Sequence, residues 1–262
     1  MNFTFTKAIS ASFIGRFIGQ IQIAIFGLAL ASLLTKETFG YFQQLLSFSL
    51  ISVSIARIGL EIITQLEITK KSDLHSIDFF SIDLIKLKVI TSALIVMPVI
   101  LLLIYAFNDL NSNFYLVFLL SSYSFFLAVN KYIADAVMIY SLRIVRSLLV
   151  MNFSALLRLC LIFYFIFIGY NDIKLIILGM LIIELSIFIY LMIFYKIFSK
   201  NLLSLNLISI TKNNLRHAWH QYGDVLTSLM LSMAGGVVVL SIFDDLELIA
   251  SYTFILAIAP GI

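Results

Sequence analysis

The 262-residue sequence has one cysteine, Cys160, two prolines, one tryptophan and few charges: 12% of its residues are Asp, Glu, Lys or Arg. A soluble domain of this length carries about a quarter charged residues to cover its surface. The shortage therefore excludes a soluble enzyme. The lone cysteine excludes a disulfide-built secreted scaffold, and an apolar share of 62% excludes an intrinsically disordered chain. The net charge of +3 does not point to nucleic acid, because Lys and Arg are scattered between apolar runs instead of clustered on one face. No Walker loop, metal-ligand cluster or nucleophile motif is present, so no cofactor or metal is expected and direct use of ATP by this chain is excluded.

What the sequence has instead is long apolar runs. A membrane-spanning helix needs about 20 mostly apolar residues. Such runs cover 9–34, 39–64, 87–107, 114–140, 147–168, 174–196 and 222–243, and an eighth begins near Glu247 and is still apolar at Ile262. None alternates polar with apolar residues as barrel strands do. The expected fold class is therefore all-α: a polytopic membrane protein with seven complete spans and a truncated eighth. The first run is too long for a removable signal peptide and has no small-residue cleavage site after it. Pro98 lies in the third run and Pro260 in the eighth, where each is expected to kink its helix.

Basic residues in short loops orient such a chain. The N-terminus and even-numbered loops hold 11 of the 17 Lys and Arg: Lys7, Lys70, Lys71, Lys86, Lys88, Arg143, Arg146, Lys196, Lys200, Lys212 and Arg216. The odd-numbered loops hold Lys36 and Lys174, beside the acids Glu37, Asp109, Asp172, Asp244, Asp245 and Glu247. This asymmetry predicts a cytoplasmic N-terminus.

Four cations remain inside the apolar runs: Arg16, Arg57, Lys131 and Arg158. A cation at mid-helix costs at least about 2.5–3.5 kcal/mol, so it normally faces a bundle interior or a wet cavity. Each lies about seven to eleven residues from the cytoplasmic end of its run, roughly 10–16 Å deep at helical rise. Four cations at one level suit a cationic cavity for a phosphate or pyrophosphate, since guanidinium forks bind phosphate bidentately. The same residues also fit a structural reading. Arg57 and Glu61, and Lys131 and Asp135, are four apart and can neutralise one another along a helix face. Arg16 can snorkel to headgroups, and Arg158 can pair with Glu184 across antiparallel helices. The acids Glu61, Asp135, Glu184 and Asp224 lie in or at the edge of spans, and intramembrane carboxylates are candidates for coupling transport to protons or sodium.

Other constellations are weak. Gly15 and Gly19 make a small-residue groove whose plain use is close helix packing. Gly235 and Gly236 can loosen the seventh run. His75, His217 and His220 fall in cytoplasmic loops without the carboxylate or cysteine neighbours of a metal site.

The start and end of the chain are loosely alike. In each, an apolar helix leads through a short charged turn (Lys36 and Glu37; Asp244, Asp245 and Glu247) into a second helix opened by an aromatic residue (Tyr41; Tyr252). A second copy beginning after six spans is the pattern of a transporter with parallel repeated halves. The expected domains are a six-helix lobe over 1–196, a cytoplasmic linker over 197–221, and over 222–262 the first hairpin of an incomplete second lobe.

Ile14-Gly15-Arg16, the stretch Leu33-Leu34-Thr35-Lys36-Glu37-Thr38-Phe39-Gly40-Tyr41-Phe42, and Arg57-Ile58-Gly59-Leu60 carry a resemblance. The sequence resembles the polysaccharide-biosynthesis flippases, the Wzx-like or O-antigen transporter branch of the superfamily that also holds the MATE exporters and the lipid II flippase. The resemblance covers the chain in topology and about its first 60 residues in motif. It implies a non-enzymatic transporter of the bacterial inner membrane that flips an undecaprenyl-pyrophosphate-linked oligosaccharide for surface polysaccharide or lipopolysaccharide assembly. Its implied partners are that lipid-linked oligosaccharide, membrane lipids, and the polysaccharide polymerase and chain-length proteins; nucleic acid is not among them. Family members have more helices than this chain, so the resemblance also implies a fragment or a chain completed by a second polypeptide. Two other readings stay open: a MATE-like small-molecule exporter, which would prefer an acidic cavity, and a membrane-embedded polyprenyl-phosphate transferase, for which Asp73, His75, Asp78 and Asp83 are the candidates.

Overall fold

The computed structural model describes residues 5–57, 59–68, 74–107, 114–139, 143–195, 222, 223, 227, 232–243 and 245–258. Among these the chain is all-helical, without a strand. The helices are α1 (Phe5–Leu33), α2 (Lys36–Ile55), α3 (Leu60–Ile68), α4 (Leu74–Phe107), α5 (Phe114–Tyr132), α6 (Ile144–Ile168), α7 (Ile173–Phe194), α8 (Met233–Ser241) and α9 (Leu246–Ile258). A single π-helical turn, Ile133–Met138, follows directly on α5.

Local chemistry sets several ends. Thr35 caps α2 by accepting a hydrogen bond from the Thr38 amide at 3.3 Å, which separates α1 from α2 with almost no loop. Gly169 ends α6 in the left-handed region at φ 68°, which only glycine adopts without strain. Asp172 then starts α7, accepting from the Lys174 amide at 2.8 Å.

Among the described residues, five helices are long and apolar enough to cross a membrane: Phe13–Leu33, Ile82–Phe107, Phe114–Met138, Ile144–Ile168 and Ile173–Phe194. The expected second span is instead two pieces, Lys36–Ile55 and Leu60–Leu66, bent by 44°. Gly59, at φ 66°, makes the break. With that pair counted as one span, the first six apolar runs are each met by a helix. Within the expected seventh span, 224–226 and 228–231 lie outside the described residues, as do Pro260, His217 and His220, and α8 occupies its second half. α9 occupies the start of the eighth. α4 begins well before the apolar run starting at residue 87, so Lys86 and Lys88 are helical and buried, at 3% and 1% exposure, instead of lying in a loop. Taking those two out of the loop count leaves nine basic residues on the expected cytoplasmic side. The helix continues through Pro98.

α5 is the central helix: 67% of its apolar window is buried, against 39% at most in the other long helices. It packs against α2, α4 and α7, while α1 packs on α6 and α6 on α7. Ser124 of α5 donates to Ser49 of α2 at 2.7 Å, a hydrogen bond buried between two apolar helices. The outer faces are apolar: Phe13, Leu94, Leu102, Tyr105 and Phe167 are each at least 67% exposed.

The two stretches that look alike in sequence meet in space. α2 packs against both α8 and α9, and α1 against α9. Lys36 and Glu247, from the two charged turns, form an ion pair at 2.9 Å with side chains 57% and 64% exposed. An exposed pair contributes little, about 0–1 kcal/mol. The closer constraint is Gly40, where an added Cβ would stand 1.9 Å from the Leu246 carbonyl oxygen. Backbone against backbone cannot yield as a flexible side chain does. Gly40→Ala is therefore expected to destabilise the purified protein by about 1–3 kcal/mol, and Lys36→Ala by under about 1 kcal/mol, in thermal or denaturant unfolding in detergent. Equal effects of the two would show that the contact is not backbone-limited.

Candidate functional site

Two polar clusters sit between the apolar helices. The first joins α5, α6 and α7. On α6, Ser154 and Arg158 are four residues apart and share a face. On α7, Glu184 is 2% exposed and is met by both. The Arg158 guanidinium donates to Oε1 of Glu184 at 2.5 Å, and the Ser154 hydroxyl donates to the same oxygen at 2.8 Å. Asn130 of α5 donates to Oε2 and to the Glu184 backbone carbonyl, both at 2.8 Å. Arg158 also lies 5.7 Å from the centre of the Tyr123 ring. The carboxylate is thus held by three donors from two neighbouring helices. Asn130 Oδ1 and Arg158 Nε are buried without a hydrogen-bond partner among the described residues.

The second cluster is built on the break between α2 and α3. Breaking a helix frees carbonyls that no helical amide reaches. The Lys88 ammonium, from α4, donates to the Ala56 carbonyl at 2.6 Å, and Tyr222 donates to the Ile55 carbonyl at 2.5 Å. Arg57 and Glu61 pair across the break, Nε to Oε1 at 3.4 Å. Both are close enough to act electrostatically on Lys88. Thr64 gives its proton to the Leu60 carbonyl at 2.6 Å, so Tyr132 is the donor in its 2.6 Å contact with Thr64. The Lys88 ammonium also stands 5.7 Å from the Tyr132 ring centre.

α5 carries a member of each cluster. Asn130 and Tyr132 are two residues apart, while Tyr123, under Arg158, is nine residues from Tyr132, so along the axis of α5 the two clusters adjoin without sharing a level.

Of the four cations singled out in the sequence, Arg57 and Arg158 occupy these clusters, one in each, and each is paired with an acid. The pairings Arg57–Glu61 and Arg158–Glu184 both form. Lys131, half-buried on α5, does not pair with Asp135. Asp135 lies in the π-helical turn, whose wider winding moves a residue four positions on out of line. Arg16 lies on α1, with its side chain outside the described part of the structure, and Asp224 is outside the described residues. Lys88 was missed because hydropathy placed it at the mouth of a run, yet it is the most deeply buried cation of the second cluster. Asn130, Ser154, Thr64 and Tyr132 were missed too. A polar residue such as Asn130 within an apolar stretch was the available signal. A separate cleft of about 260 Å³ is lined by Ala31, Lys36, Phe39, Ala250, Ser251 and Phe254, none of them among the four cations.

Comparison with protein-family models, with curated proteins and with solved structures gives no match.

The buried pair makes a sharp energetic prediction. Glu184→Ala leaves the Arg158 guanidinium without its counter-charge and is expected to cost about 3–5 kcal/mol. The double variant Arg158→Met/Glu184→Leu is expected to recover most of that loss, because neither charge is then stranded. Unfolding of the three proteins in detergent, compared in one cycle, checks it. At the helix break, Lys88→Met strands the Ala56 carbonyl and is expected to cost about 1–3 kcal/mol, read by the same unfolding measurement.

Proposed function

We propose that the chain spans the bacterial inner membrane several times, with its N-terminus in the cytoplasm, and forms part of a transporter. Its cargo is an undecaprenyl-pyrophosphate-linked oligosaccharide, flipped to the outer leaflet for surface polysaccharide assembly. Several apolar helices long enough to cross a bilayer, with apolar outer faces, support the membrane placement.

One observation carries the transport reading. Two cation-bearing clusters lie against α5 between helices that are otherwise apolar, and in the second the Lys88 ammonium has no carboxylate hydrogen-bonded to it among the described residues. A charged group in such surroundings is expensive unless it has a task. In this reading Arg57, Lys88 and Arg158, with Arg16 and Lys131, attract the pyrophosphate. Glu61 and Glu184 hold two of the cations while the site is empty. Binding then exchanges one anion for another around a fixed guanidinium, which limits the desolvation cost of each cycle. The polyprenyl tail stays in lipid, and Glu184, Glu61, Asp135 and Asp224 are the carboxylates available for ion coupling.

In cells that depend on this protein for surface glycan, Arg16→Ala, Lys88→Ala and Arg158→Ala are each expected to lower surface glycan per molecule of accumulated protein by about tenfold or more. The variant Arg158→Met/Glu184→Leu separates fold from function: it is expected to accumulate normally and still lack surface glycan. Wild-type glycan in that double variant would refute the role of Arg158, and wild-type glycan in all of them would refute the site.

A further inference from the structure

Outside both clusters, the structure places two arginines and an aromatic wall at one end of the α6–α7 pair. Arg146 is exposed, and its guanidinium carbon lies 4.2 Å from the centre of the Phe194 ring. Arg143 lies 5.5 Å from the same ring and 5.7 Å from that of Tyr195. Phe194 and Tyr195 are themselves edge-to-face, with centres 5.0 Å apart. The antiparallel course of α6 and α7 brings this about, since it sets the start of one helix beside the end of the other.

We propose that this end of α6 and α7 binds the phosphate of an anionic phospholipid. A guanidinium lying over an aromatic ring is positioned through its flat face, which leaves its N–H edge to meet phosphate oxygens as a fork. Arg146 makes no ion pair or hydrogen bond among the described residues, and the first turn of α6 contains no acid to compete for it. Apolar side chains continue from the charged end along both helices: Leu149 on α6 and Ile193 on α7 are 65% and 63% exposed. A charged head above an apolar flank matches a phospholipid, whose acyl chain lies along the helices, better than a free ion, which would gain nothing from the flank. Aromatic rings at a helix end are also the usual anchors at the headgroup level. The inference rests on the membrane placement proposed above but not on the transport reading, and its failure would leave the two polar clusters untouched.

The test uses the full chain in nanodiscs of phosphatidylcholine alone or mixed with phosphatidylglycerol. Retained lipid is read by native mass spectrometry and stability by thermal melting. The wild type is expected to retain phosphatidylglycerol in preference to phosphatidylcholine and to melt higher in the mixture. Arg146→Gln is expected to weaken that retention about fivefold and to lose the extra stability, while melting as the wild type does in phosphatidylcholine alone. Arg146→Lys, which keeps the charge, is expected to retain more phosphatidylglycerol than the Gln variant. Equal retention by wild type and Arg146→Gln would overturn the proposal. So would an equal loss of stability in both lipids, which would make Arg146 a packing residue only. Displacement of the lipid by inorganic phosphate at matched concentration would assign a free-ion site and also overturn it.

Discussion

The Ala56 carbonyl and its neighbour on Ile55 have lost their helical partners, and most of this architecture follows from how they are satisfied. At the end of α2 the chain turns through Gly59 and bends by 44°. In an apolar surrounding the freed carbonyls cannot turn to water, so partners must come from the protein. Lys88 supplies one from α4 and Tyr222 the other. The first contact draws a full positive charge into the bundle, and that charge is tolerated because the partial negative charge at a helix C-terminus, the Arg57–Glu61 pair and the Tyr132 ring all lie around it. Without the break, Lys88 would have no acceptor there and α4 no reason to bury it.

The Glu184 network answers the same constraint differently. Here the backbone is intact and the charges belong to side chains. A lone buried carboxylate would be intolerable; three donors, one of them a compensating cation, make it acceptable. Asn130 bonds both the side chain and the backbone of Glu184, so it fixes the rotation of α7 against α5 as well as the carboxylate. Between them, the clusters tie α2, α4, α5, α6 and α7 together, with α5 as the shared member.

The helices were largely legible because hydropathy reports on them directly: six of the apolar runs are met by helices, or by the bent α2–α3 pair. Two of the ion pairs were legible as well, Arg57–Glu61 from its spacing of four and Arg158–Glu184 from the depth of two antiparallel runs, whereas Lys36–Glu247 was not. The failures share a cause. Lys131–Asp135 has the same spacing of four, but a π-helical turn intervenes, and nothing in a spacing reveals a change of winding. Hydropathy puts Lys86 and Lys88 in a loop because it averages over a window and cannot see that one ammonium has a carbonyl waiting for it. Gly59 and Gly40 stood out as parts of a motif, but only the backbone shows why glycine is needed: the first takes a positive φ, and the second admits the main chain of Leu246.

The contact between Lys36 and Glu247 spans 211 positions. During synthesis at 5–20 residues per second, the glycine-bearing face of α2 therefore exists for roughly 10–40 s before the element that covers it has been made. For that interval a helix whose polar serines and bare backbone face are shaped for close contact has only its earlier neighbours to lean on. The order of assembly is thus written into the fold: α2 meets α4 and α5 first, and the junction of the first and last hairpins closes only when the ribosome has passed Glu247.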